Sequence, residues 1–165
     1  MDRALGISVH TGWAACVVVG GTSRRPDVIA SQVIDILGDA ERFCYHMAAE
    51  MKPAAAAAWI ARMRRKALAS ARRALAPLLA HEPGACAIVA RPGDPGELAR
   101  ILAAHPRIHT AEGCFYRDVL RDACGGLPVA LVPPKSLDVS TVGKLAPPPW
   151  GRDQKLATLA ALTQL

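Results

Sequence analysis

The chain has 165 residues and a mass of 17.4 kDa, the size of one domain, with 52% apolar and 21% charged residues. That composition excludes a disordered chain, and no apolar run approaches the roughly 18 residues that a membrane span needs. The net charge of +6 favours anionic partners, nucleic acid foremost, although 15 Arg against 5 Lys in an Ala-rich chain marks coding bias as part of its cause.

Ala4 to His10 is a short apolar run with β-branched residues, closed by Thr11-Gly12. Trp13 to Val19 is a second, closed by Gly20-Gly21, and Val28 to Leu37 a third, closed by Gly38-Asp39. Short spacers between such runs predict two successive hairpins and an antiparallel meander. Asp39 is placed to cap a helical turn through Glu41 to Met51. Pro53 suits the first position of a longer helix to Ala80. On that helix Ile60, Met63, Ala67, Ala71, Leu75 and Leu78 share one face. Arg62, Arg65, Lys66, Arg72 and Arg73 fall on an arc opposite. They are the candidate nucleic-acid stripe, or simply a solvated helix face. Pro77 is expected to end or bend the helix.

Cys86 to Ala90 reads as a compact strand. Asp94-Pro95-Gly96-Glu97 has the signature of a capped helix start. Thr110 is the expected cap of a further helix to about Cys124, which puts His109 and Glu112 at its beginning. Val129 to Val132 is another strand, Ser136 to Trp150 a Pro-rich loop, and Gly151 with Asp153 opens a last helix. The order β-β-β-α-β-α-β-α predicts an α/β fold. Its five-stranded mixed sheet has the order 3-2-1-4-5, with the first three strands antiparallel and helices on the faces.

The five cysteines show no C-x-x-C spacing and read as free thiols. His105 and His109 have the spacing of a helical metal pair, but Pro106 between them is expected to break the alignment, so no metal site and no cofactor are predicted. The N-terminus shows no basic stretch followed by an apolar core. The expectation is a single cytoplasmic domain over 1–165 with no membrane partner.

The element order resembles that of ribonuclease H-like folds, and in detail that of the RuvC-type Holliday-junction resolvases. The resemblance rests on Ala4-Leu5-Gly6-Ile7-Ser8 with its turn through Thr11-Gly12-Trp13-Ala14. It rests also on the passage from the Thr110 helix through Gly125-Gly126 to Leu127-Pro128-Val129, and on Asp153-Gln154-Lys155 opening a helix of small residues. The family's resemblance implies a nuclease with a cluster of carboxylates, which hold two magnesium ions roughly 3.5–4 Å apart. Here Ser8 stands at the position of the first acid and Ala90-Arg91 at that of the second. Only Asp153 matches an acid. The candidate cleft is therefore Ser8, His10, Arg91, His109, Glu112 and Asp153, and the resemblance implies a catalytically degenerate protein that binds nucleic acid. Two alternatives stay open: a structural or scaffold homo-oligomer, such as a homodimer, with no nucleic-acid role, and a nuclease or hydrolase with an unorthodox site built on His109, Glu112 and Asp153. Helix capping and ordinary hydrogen bonding are the plain readings of the same residues.

Overall fold

The structure, a computed structural model, describes residues 2–165. Strands β1 (Arg3–Val9), β2 (Trp13–Thr22) and β3 (Arg25–Asp35) form the meander. Two helices follow, α1 (Cys44–Ala49) and α2 (Pro53–Leu79). Strand β4 (Ala85–Val89), helices α3 (Leu98–Leu102) and α4 (His105–Ala123), strand β5 (Val129–Val132) and helix α5 (Arg152–Leu162) complete the chain. The sheet order is β3-β2-β1-β4-β5. Strand β1 pairs antiparallel with β2 and parallel with β4, and β5 runs parallel to β4. The mixed sheet and its order are those that the element sequence predicts, because tight turns can join only antiparallel neighbours while helical crossovers return parallel ones.

Side chains of β1 alternate between the two faces. Leu5 and Ile7 enter a core shared with Met63, Leu75, Tyr116 and Leu120 from α2 and α4. Ala4 joins Val17, Val19, Ala157 and Ala161 under α5. On α2 the buried residues are Ala56, Met63, Ala67, Ala71, Leu75 and Leu78, so the apolar stripe lies where the periodicity puts it. Among the described residues no helix is long and apolar enough to cross a membrane.

Several boundaries depart from expectation, each for a local reason. Pro77 lies inside α2 without ending it, since only the helix's last residues follow. Asp39 caps nothing. It pairs with Arg42 at 3.0 Å in a turn, and the helix begins at Cys44. Asp94 accepts the Gly96 backbone N–H at 2.8 Å in its own tight turn, so α3 starts only at Leu98. Helix α4 starts five residues before Thr110, whose hydroxyl donates to the Pro106 carbonyl at 3.2 Å instead of capping. The Pro-rich loop holds two single 3₁₀ turns, Pro134–Ser136 and Val139–Thr141, and Trp150 anchors it by donating Nε1–H to the Gly143 carbonyl at 2.8 Å.

Candidate functional site

Gly6 positions the first group of site residues. A Cβ there would lie 1.7 Å from the carbonyl oxygen of Ala157, so only glycine lets the α5 backbone lie directly on β1. Ser8 and His10 follow Gly6 on the same face. Asp153 stands one helical turn before Ala157. The result is a three-residue cluster: Asp153 Oδ1 accepts from Ser8 Oγ at 3.0 Å and lies 2.7 Å from His10 Nε2. Because the carboxylate only accepts, His10 carries a proton on Nε2. The His10 ring is stacked on Trp13, 4.1 Å between centroids and 5° from parallel, which fixes its direction. Ser8 is buried, while His10 and Asp153 are partly open to solvent. Asp153 also sits in the first turn of α5, where the helix dipole favours a negative charge.

Arg91 and His109 lie elsewhere. They line a cleft of about 400 Å³ between the C-terminal ends of β1 and β4 and the first turns of α4, with Val9, Gly93 and Arg117. Val9 packs against the α2/α4 core and Val89 against α5, so this cleft runs across the ends of the strands. Arg117 is buried. It donates through Nη1 to the Arg91 carbonyl at 3.1 Å and through Nε and Nη2 to Asp118 at 2.8 and 3.1 Å. The hydrogen bonds it donates to Asp118 hold its guanidinium above the ordinary arginine range, so it stays charged. No carboxylate lines the cleft among the described residues.

Glu112 belongs to neither group. Helix α4 begins at His105, so Glu112 is two turns inside it and faces α1. It is 3% exposed, and its Oε1 accepts the backbone N–H groups of Tyr45 at 2.8 Å and His46 at 3.2 Å. A buried carboxylate thus satisfies the first amides of α1, which no side chain of its own turn caps. Cys44 Sγ is 3.5 Å from Glu112 Oε2, and burial together with that carboxylate pushes the Cys44 thiol well above its usual range. His46 Nδ1 is 3.1 Å from Glu112 Oε1.

The same region corrects the reading of Pro106. The proline occupies the first turn of α4, where its missing N–H breaks no intrahelical bond. His105 and His109 are therefore aligned on one helix, with their Nε2 atoms 2.9 Å apart. His46, which the sequence does not single out, joins them. The H-x-x-x-H spacing was the available signal, and a proline next to a helix start was the reason to keep it.

The donor set at Ser8, His10 and Asp153 does not fit a pair of magnesium ions. Hard divalent cations need several oxygen ligands, whereas Asp153 is the only carboxylate in this cluster and its Oδ1 is already shared between two donors. Ala90 and the Arg91 cation stand at the end of β4.

On α2, Arg62, Arg65, Lys66, Arg72 and Arg73 are all exposed. Lys66 pairs with Glu41, and Arg62 lies 4.7 Å above the Trp59 ring. Among the described residues Arg65, Arg72 and Arg73 form no ion pair. Arg64, outside the predicted stripe, pairs with Asp122 at 2.6 Å.

No protein-family model and no curated protein matches the chain. Solved structures do. RuvC of Thermus thermophilus in complex with a Holliday junction substrate superposes with a TM-score of 0.61 at 13% identity, over 99% of this chain and 92% of that one. A further Thermus thermophilus RuvC structure gives 0.56 at 12% identity, over 98% and 91%. At such identities the likeness is one of architecture, and it agrees with the strand order described above: the chain has the ribonuclease H-like fold seen in RuvC.

Proposed function

We propose that this protein binds nucleic acid without cleaving it by two-metal chemistry. The observation that carries the reading is the cleft at the C-terminal ends of β1 and β4. It is lined by Arg91, Arg117 and His109 and by no carboxylate among the described residues. Ligands of open α/β sheets commonly settle at this end of parallel strands. The exposed Arg91 cation, in no ion pair among the described residues, attracts phosphate and repels magnesium, while the charge of the buried Arg117 is balanced by Asp118. Arg65, Arg72 and Arg73 on α2, in no ion pair among the described residues, add positive surface. The RuvC protein of the same fold is seen with a Holliday junction substrate, which supports a phosphate-bearing ligand here.

Ser8, His10 and Asp153 are in this reading a structural clasp between β1 and α5. They keep the place of a catalytic cluster without its ligand capacity. Filter binding with a four-way junction, a duplex and a single strand tests the proposal, paired with a cleavage assay in magnesium or manganese. Binding that weakens steeply with salt, with no divalent-dependent product, is the expected result. No retention of any of the three at low salt overturns the binding reading in favour of a structural role. Divalent-dependent cleavage abolished by Asp153→Ala overturns the non-nuclease reading.

A further inference from the structure

We propose that His46, His105 and His109 form a binding site for a borderline divalent transition-metal ion of the zinc class, between α1 and the first turns of α4. One ring nitrogen of each lies within 4.8 Å of the other two. His105 and His109 have Nε2 atoms 2.9 Å apart. The three rings stand 4.5, 4.8 and 5.5 Å from one another between centroids, at steep angles of 66° to 89°. Imidazoles that merely packed for burial have no need to bring nitrogens together. Two neutral rings can share one proton between them, but a third ring leaves the set short of donors or crowded with charge. A cation resolves both, because all three lone pairs then have one acceptor.

The size is right. Zinc–nitrogen distances of about 2.0–2.1 Å place tetrahedral ligand nitrogens about 3.3 Å apart. His105 and His109 need to part by only a few tenths of an ångström, and His46 needs to turn inward. The exposed side chains of His105 and His109 leave room for that adjustment and leave a fourth position open to water.

A second, independent observation is the partner behind His46. Its Nδ1 is 3.1 Å from Oε1 of Glu112, a carboxylate only 3% exposed. The carboxylate accepts, so Nδ1 carries the proton and Nε2 the lone pair. A buried carboxylate that orients an imidazole and raises its basicity is the usual outer support of a metal-binding histidine. Cys44 faces the other Glu112 oxygen and so belongs to that supporting layer. Three nitrogen donors favour zinc, copper or nickel and offer little to magnesium or calcium. The ion would add a tie between α1 and α4, which also meet through Glu112 and through Tyr45 against Phe115. None of this depends on nucleic-acid binding.

The test is isothermal titration of the full chain, stripped of metal and of any purification tag, with zinc chloride, followed by cobalt(II) absorption spectroscopy. One equivalent is expected to bind at micromolar affinity or tighter, with the visible bands of nitrogen-ligated cobalt. The double variant His105→Ala/His109→Ala alters exposed side chains, so it is expected to keep its circular dichroism and to lose at least 100-fold in affinity. Glu112→Gln, if it folds, is expected to weaken binding 10–100-fold. His81→Ala is expected to change nothing. No uptake with zinc in the tens of micromolar, well above the affinity expected, overturns the proposal. So does uptake that the folded double variant retains.

Discussion

Gly6 and Ala157 touch backbone to side-chain position: a methyl group on Gly6 would overlap the Ala157 carbonyl at 1.7 Å. The obstacle is helix backbone, which cannot turn aside as a flexible side chain could. Gly6→Ala is therefore expected to lower stability by about 3 kcal/mol or more, the upper end of overpacking effects. Urea unfolding followed by circular dichroism measures this. A loss below about 1 kcal/mol would mean that α5 is free to lift from the sheet.

The clasp one turn away is a smaller matter. Asp153→Asn keeps the shape of the side chain but gives up the charge that both Ser8 and His10 address. A loss of about 1 kcal/mol is expected, since the site is partly solvated. Urea unfolding followed by circular dichroism measures this, and an unchanged midpoint would show that the 2.7 Å contact has no weight in solution.

For the basic surface, each phosphate neutralised adds just under one unit to the slope of log affinity against log salt. Arg65→Ala/Arg72→Ala removes two exposed cations, of which neither is in an ion pair among the described residues. If the stripe is used, the slope falls by about two and all sequences weaken alike. Arg91→Ala removes a cation from the cleft and is expected to act in the same direction. A slope that responds to Arg91→Ala and ignores the α2 pair would confine the interface to the cleft.

The thiols and phenols set the alkaline behaviour. Burial raises Cys44 above its ordinary value, and Tyr45 is pushed up to about 12, chiefly by burial. A group whose folded value is raised stabilises the protein below its unfolded pKa and loses that contribution as pH rises toward the folded value. Stability is thus expected to be flat near neutrality, to decline above about pH 9 as unfolded-state thiols ionise, and to decline further as unfolded-state tyrosines follow above about pH 10. Urea midpoints between pH 7 and 11 check the sign. Thiol labelling gives a second readout. Cys114 lines the cleft and is expected to react first, while Cys16, Cys44, Cys86 and Cys124 await unfolding.

Strand order was legible because each link between elements admits few geometries. The gaps after Val9 and Thr22 are too short for anything but hairpins, and the runs before β4 and β5 are long enough only for crossovers. The buried face of α2 was legible because period is a local property. What escaped was set at a distance. Glu112 looks like a first-turn acid until α4 is seen to begin at His105, and its true partners, the amides of Tyr45 and His46, are far away in the chain. His46 has no sequence signature at all, since its neighbours come from another helix. Hydrogen bonds join Ser8, His10 and Asp153, whereas Arg91 and His109 line a cleft at the strand ends that includes none of those three, a division that only the packing of the helices sets.

The packing of α5 on β1 also governs when the molecule can be completed. Ala4, Val17 and Val19 have no cover on their side of the sheet except α5 and the residues beside it. On the ribosome the meander, α2, β4 and β5 are all made before that helix emerges. The nascent sheet must wait with one apolar face bare, a hazard for association with other chains. The small side chains of that face, alanine and valine with Gly6 between them, limit how much sticky surface is shown during the wait. The close fit that seats α5 thus doubles as protection during synthesis.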